Sequence, residues 1–553
     1  MLTFQQFSKN VIRSVLLIGI TVLWLFWSFL DINSAYAQGI NINLFSHNSL
    51  FKAEFNIDSI VRIDKGIEAN LYQYQTDPSE NFSLENKLFN DGVDQAKNEN
   101  HEKAIQFYTK ALQINPVFAK AYLNRGYARS KLDEIENAFE DYNKSIEISP
   151  DLAVAYIARA NLYFEQGENE SALTDFDTAI NINNNYDEAY FGKGSVYLEL
   201  EQYEEAMSNF SKALSLNPQY IDAYIKRGYA KGNLKDYKGL IEDSTKAINL
   251  DVTHKDGTPY NNRGLAWFYL GKNEKALKDL NECLKIAPNY SAAYYNRGLV
   301  LSDLGKHKEA VDSYDQALRY NPDDYKIWNH RGDSLLSLEE YEDAVDSYEE
   351  ALDYKRDDSI TWTNRGIALG ELGLTKEAID SYDEALRYEP DDYIAWTNRG
   401  SALDDLERYK EALDSYKQAL MYKPDFYLAW HNQGLTLFNL KRYKEAVSSY
   451  DKALLYNPDY YIAWGNKAIA LFELGKYEEA LASYDKFLDS QPDESLAWYN
   501  IARIYGVQGN LPQAVKHLNQ AIKLDRKWKE EAKNSEDFDL IRDEPEFQEL
   551  LQS

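Results

Sequence analysis

The stretch Tyr427–Tyr460, YLAWHNQGLTLFNLKRYKEAVSSYDKALLYNPDY, carries the plan of the whole chain. Trp430, Gly434 and Leu437 fall at i, i+4 and i+7, so they share one face of a first helix. Leu440 to Tyr443 make a connection, and Ala446, Tyr450, Ala453 and Leu454 then line one face of a second helix. Asn457-Pro458-Asp459 closes that helix, because proline cannot continue it and the residue before a proline avoids helical geometry. The 34 residues therefore predict one helical hairpin.

Outward from this stretch the pattern returns in both directions. Counting Tyr427 as position 1, the alanine of position 20 recurs at Ala104, Ala138, Ala172 and Ala206, lapses to Leu240, and after a two-residue slip continues from Ala276 to Ala514. A glycine or alanine keeps step at position 8, from Gly92 to Ala502. Thirteen units cover residues 85–528, and self-similarity at this period predicts a stacked array without a single globular core. An aromatic stands at position 4: tyrosine from Tyr122 to Tyr294, tryptophan from Trp328 to Trp498. The periodicity makes it a packing residue, and it is expected to be the knob that fills the holes left by positions 8 and 20, where a larger residue would overpack.

The unit at 461–494 supplies Trp464, Ala468, Leu471, Ala480, Tyr484, Phe487 and Pro492 at the positions where the tetratricopeptide (TPR) repeat family has its signature, and the chain resembles that family over about four-fifths of its length. The resemblance implies an all-α fold, an α-solenoid: a right-handed superhelix of about thirteen helix-turn-helix repeats whose first helices line the concave wall. Departures are local. Position 7 is arginine in eight units, from Arg125 to Arg399, and the fifth unit has Leu240 and Ser244 where alanine and an aromatic are expected. Each arginine is expected to cover the helix joint and to reach an acid such as Asp312, Asp346 or Asp380 in a surface pair of small energy.

The ends break the beat. Lys9 and Arg13 precede an uncharged run from Ser14 to Leu30 and the small-x-small site Ala35-Tyr36-Ala37, which reads as a secretory signal over 1–37 or an uncleaved inner-membrane anchor over 14–30. Residues 38–84 read as a flexible arm, 85–256 and 257–528 as two sub-arrays joined near 251–259, and 529–553 as a C-terminal capping helix over the last apolar face. Such a chain is expected to act in the periplasm, a lumen or outside the cell.

A net charge of −30 repels nucleic acid and anionic lipid, so the partners expected are other proteins or peptides. One cysteine, Cys283, permits no disulfide within the chain. The seven histidines stand in no metal-ligand spacing, Gly192-Lys193-Gly194 lacks the third glycine and the strand of a dinucleotide site, and no nucleophile motif is present. No enzyme activity, cofactor or metal is expected.

One row stands out. Position 6 carries Asn364, Asn398, Asn432, Asn466 and Asn500, with Asn124, Asn262 and Asn296 earlier. An amide both donates and accepts, so such a ladder can hold an extended peptide backbone whatever its side chains. It resembles the asparagine ladder in the substrate channel of the TPR-bearing sugar-transferase family, though no transferase domain accompanies it in this sequence. Ile360, Ile394, Leu428, Leu435, Phe438, Ile462, Ile469 and Phe472 are expected to give the same wall an apolar stripe. The reading that results is a scaffold binding extended segments or helices in its concave groove. A structural spacer without a defined ligand and a substrate-presenting subunit of a separate enzyme are the alternatives.

Overall fold

A computed structural model describes residues 83–552 apart from 252 and 254. The signal at 1–37 and nearly all of the arm at 38–84 lie outside the described residues. Among the described residues there are 28 α-helices, one short 3-10 turn and no strand. Each 34-residue unit is one antiparallel helical hairpin, and within each of two compact units the hairpins stack in chain order, an all-α solenoid architecture. The chain divides into two compact units, one up to Pro322 and one from Asp323 onward.

Within a hairpin the contact that sets the spacing is a ring against bare backbone. A Cβ built on Gly434 would lie 2.6 Å from Cε1 of Tyr450, and Gly92, Gly126, Gly298, Gly332, Gly366 and Gly400 meet Tyr108, Tyr142, Tyr314, Tyr348, Tyr382 and Tyr416 in the same way. The knob for the position-8 hole is therefore the position-24 aromatic of the second helix, not the position-4 aromatic that the sequence suggested. Repeats that lack an aromatic there fill the same space differently. In the fifth, Leu240 at position 20 reaches Gly228 while position 24 shrinks to Ser244; in the sixth, Leu280 faces Gly264.

The position-4 side chain does other work. In the second unit the indole N–H of Trp362, Trp396, Trp430, Trp464 and Trp498 donates to the carbonyl six residues earlier, at 2.8, 2.9, 2.9, 3.2 and 2.8 Å. Tryptophan thus ties each first helix to the loop that enters it.

The turn inside each hairpin is equally regular. Its third residue has φ near +60°, for example Lys441 at 58° and Gly475 at 69°, and the next amide bonds back five residues, as Arg442 N to Leu437 O at 2.8 Å. This is the left-handed C-terminal cap that glycine adopts most readily. The entering loops are closed by carboxylates: Asp324, Asp358, Asp392 and Glu494 accept backbone N–H groups of the helix that follows.

The stretch 251–259 lies inside the first unit. There the Asp251 carboxylate accepts the N–H groups of Thr253, Lys255 and Asp256, and the helices Tyr237–Leu250 and Thr258–Tyr269 pack together across the insertion. The division between the two compact units falls where tryptophan replaces tyrosine at position 4. Cys283 is fully buried against Gly257, and burial pushes its thiol up to about 12, so it is inert packing.

The last repeat is closed by two short helices, Lys527–Asn534 and Pro545–Gln552, with a 3-10 turn between them, rather than by one helix. Trp528, Phe538, Ile541, Phe547 and Leu551 cover Tyr499, Ala502 and Leu518.

Two glycines on first helices separate close approach from mere composition. Gly434→Ala should destabilise by about 1–3 kcal/mol, since its methyl would meet the Tyr450 ring. Gly370→Ala, with nothing within 4 Å, should stabilise by up to about 1 kcal/mol. Denaturant midpoints of the two variants moving in the same direction would contradict this account of the spacing.

Candidate functional site

In each unit the first helices of successive repeats approach one another more closely than the second helices do. The stack therefore curves with first helices on its inner wall, and positions 2, 6, 9 and 12 of the second unit can be followed along that wall.

The amide row is there, but much of it is bonded within the fold. Asn364 is 1 % exposed and its Nδ2 donates to Asp333 Oδ1 of the preceding repeat at 2.9 Å. Asn500 is buried, its Oδ1 accepting from Arg503 at 3.0 Å. Asn432 and Asn466 are joined through His431, which the sequence reading passed over: Nδ1 of that ring lies 3.2 Å from Asn432 Oδ1, and Nε2 lies 2.9 Å from Asn466 Nδ2. The pairings require a neutral ring protonated on Nδ1. Burial agrees, pushing the His431 pKa down to about 4. In the first unit Asn296 donates to Asn261 at 2.9 Å in the same inter-repeat manner. Only Asn398, Asn432 and Asn466 among the five keep part of their surface in the groove.

The apolar stripe divides similarly. Ile360 is 40 % exposed, and Ile394, Leu428, Leu435, Phe438, Ile469 and Phe472 are half-buried. Ile462 departs from expectation at 3 % exposure, because it is packed beneath Tyr460 and Ala463. Phe438 and Phe472 each lean on the tyrosine that opens their second helix, Tyr443 and Tyr477, at 5.2 and 5.8 Å between ring centroids. Arg503 lies over the Phe472 ring at 4.8 Å.

A feature missed in the sequence is a run of carboxyls on the same wall. Asp333 accepts from Tyr348 Oη and Asn364 Nδ2, both at 2.9 Å. Asp404 Oδ2 accepts from Tyr416 Oη at 2.8 Å and from Thr436 Oγ1 of the next repeat at 2.6 Å. Burial raises the pKa of Asp333 and pushes Asp404 up to about 6; Asp405 beside it is pushed to about 6 by partial desolvation although its side chain is exposed. Burial also raises Glu371, with repulsion from Glu339 and Asp405 adding to it. Spacing could have flagged the run, since these residues sit at positions 9, 12 and 13 of successive repeats, but carboxylates are so frequent in this chain that it was lost among solvated faces.

The arginine row is structural, with different partners from those expected. Arg125, Arg159, Arg227 and Arg263 grip Asp141, Asp175, Asp243 and Asp279 of their own second helix with two N–H···O bonds each. These aspartates are at least 92 % buried, so the pairs are not surface pairs, and losing one partner would strand a charge. From the seventh repeat onward the aspartate becomes serine, and Arg365 and Arg399 turn to Glu349 and Asp383 of the preceding repeat. Every one of the eight guanidiniums lies 5.1–5.8 Å from the ring at position 4 of its own helix.

Models described as "Tetratricopeptide repeat" match residues 295–359, 363–427, 404–460, 431–493 and 465–529, residues 256–322, and residues 95–118 and 119–152. A "TPR repeat" model matches 160–201 and 194–234. No curated protein matches the chain. Among solved structures it is similar to the APC/C hetero-tetramer Cut9–Hcn1 (14% identity, 86% of this chain and 97% of that one, TM-score 0.37). It is also similar to YrrB, described as a TPR protein with an unusual peptide-binding site (27% identity, 34% and 95%, TM-score 0.30). A tetratricopeptide repeat protein from Parabacteroides merdae matches at 20% identity over 45% and 98%, with a TM-score of 0.35.

The groove carboxyls give the fold a pH dependence of defined sign. Asp404 and Asp405 have folded-state values near 6 against about 3.9 for a free carboxyl, so the native state holds their protons more tightly than the unfolded chain does. The stability they contribute is complete below about pH 4 and is lost as pH rises through about 6. Asp404→Asn with Asp405→Asn keeps an oxygen for Tyr416 and Thr436 while removing the titration. Its melting temperature should gain on the parent's between pH 4 and 7.5; a difference that stays constant over that range would refute the assignment.

Proposed function

Because the chain belongs to the tetratricopeptide repeat family, whose members are protein-interaction scaffolds, we propose that it binds extended peptide segments of partner proteins along the inner wall of its second unit, residues 323–528. The single observation that carries this is the half-exposed apolar row from Ile360 to Phe472 on the inner wall, interleaved with the amides of Asn398, Asn432 and Asn466. An apolar row left on a solvent-facing wall marks a binding surface, and amides beside it can pair with a peptide backbone. The amides bonded through His431 hold their orientation before a ligand arrives, which lowers the ordering cost of binding.

The N-terminal segment supports placing this scaffold across the inner membrane, released by cleavage after Ala37 or held by residues 14–30. N-terminal sequencing of the mature protein should begin at Gln38; an intact Met1 in a membrane fraction favours the anchor.

The test of the groove is selection of displayed random twelve-residue peptides on the full-length protein. Peptides that bind should lose at least tenfold in affinity to Ile360→Ser with Leu428→Ser, with helicity and melting unchanged. Selected peptides that bind this variant equally would move the site off the inner wall, and a selection yielding no binder would favour the spacer reading.

A further inference from the structure

We propose that the segment held in this groove is cationic, with lysine or arginine at about every third residue, and that Asp333, Glu371, Asp404 and Asp405 receive those side chains. The inference rests on the groove reading above and adds the chemistry of its occupant.

The carboxyls come one repeat after another: Asp333 in the eighth, Glu371 in the ninth, Asp404 and Asp405 in the tenth. They occupy positions 9 to 13, the C-terminal half of the first helices, whereas Ile360, Ile394 and Leu428 occupy position 2, near their N-terminal ends. Over the eighth to tenth repeats the inner wall thus offers an acidic edge and an apolar edge with the amide row between them. The groups nearest Glu371 and Asp404 do not neutralise them. Glu371 faces Glu339 and Asp405, Asp404 faces Asp405, and the hydrogen bonds to Asp333 and Asp404 come from neutral groups, Tyr348, Asn364, Tyr416 and Thr436. Asp333 differs in that the field of His330 favours its charged form.

A second observation is that two enclosed acceptors beside these carboxyls lack a donor. Asn364 is 1 % exposed, its Nδ2 is spent on Asp333, and its Oδ1 accepts no hydrogen bond. Asp404 repeats the arrangement: Oδ2 takes two bonds and the enclosed Oδ1 takes none. Both atoms are acceptors, both adjoin a carboxylate, and each lost bond of this kind costs about 1–3 kcal/mol. An ammonium or guanidinium group supplies hydrogen-bond donors and the missing counter-charge together.

Spacing selects the form of the ligand. Neighbouring packed helices stand roughly 8–10 Å apart. An extended polyproline-II segment has three residues per turn and rises about 3.1 Å per residue, so one face recurs roughly every 9 Å. A cation at every third position therefore meets one carboxyl per repeat, while the intervening residues face the apolar edge. Charge complementarity of this kind sets specificity and register more than total affinity.

The experiment measures fluorescence anisotropy of three labelled fifteen-residue peptides against the full-length protein at low and moderate salt. All repeat an X-Leu-Ser triplet, with X as arginine, glutamine or glutamate. The arginine peptide should bind at least tenfold more tightly than the glutamine one, and the glutamate peptide should not bind. Asp333→Asn with Glu371→Gln and Asp404→Asn should erase the arginine preference, whereas Asp357→Asn with Asp391→Asn and Asp425→Asn, on exposed loops, should leave it intact. Equal binding of the arginine and glutamine peptides overturns the inference and leaves the groove reading standing. Arginine preference that survives the groove variant and falls with the loop variant overturns it too, placing the cationic contact on the loops. Binding of none of the three, together with no displayed binder, removes both readings.

Discussion

The packing of a position-24 ring onto the bare backbone of a position-8 glycine is the constraint on which the rest of this structure depends. It fixes how closely the two helices of a hairpin lie, and through that the distance at which the next hairpin stacks. Seven of the hairpins use a tyrosine for this, from Tyr108 to Tyr450, and each ring is at most 4 % exposed. The fifth repeat shows that the requirement is for filled space rather than for an aromatic, since Leu240 reaches across when Ser244 cannot. A methyl on the glycine and a cavity at the ring break the same contact from opposite sides.

Stacking the hairpins then imposes a second requirement, which is to register one repeat on the next. In the first unit buried arginine–aspartate pairs brace four of the hairpins internally. In the second the aspartate becomes serine, and the arginine's acid partner moves to the preceding repeat, as with Arg365–Glu349 and Arg399–Asp383. One repeat after serine first appears at Ser313, tryptophan replaces tyrosine at position 4, and its indole bonds to the preceding loop. The second unit therefore spends its polar side chains between repeats, and the amide row belongs to this economy. Asn364 with Asp333, and Asn432 and Asn466 with His431, are first of all links between neighbouring first helices.

Repeat length, helix pairing, the break after the last repeat and the positions that share a face were legible in the sequence, because a 34-residue period and a helical stripe are properties of spacing alone. What spacing does not reveal is which of two adjacent helices a residue faces. Position 4 and position 24 are both aromatic and both periodic, and only the packed hairpin shows that Tyr450, not Trp430, lies on Gly434. The arginine partners were misplaced by a single position for the same reason, Asp279 and Ser313 standing one residue beyond the position expected. The amide ladder was found as a row, but its bonds at separations of 31 and 35 residues cross between repeats and leave no local trace. Ile462 was misread because it joins the buried cluster of Ala453, Leu454, Tyr460 and Ala463, which its position in the repeat did not disclose.

The carboxyls on the inner wall run against the logic of the fold, and that is their interest. A solenoid gains stability by repeating one satisfied unit, and a neutral residue at 333 or 404 would satisfy the unit better than an acid whose charge is desolvated. The exposed faces already hold abundant acids for solubility, so placing more of them in the groove does not serve that end. Where local packing rules are broken in successive repeats on one wall, the cost recurs with each repeat, and the compensation must come from something that spans those repeats. A ligand lying along the groove has that property, whereas a side chain of the fold reaches one neighbour at most.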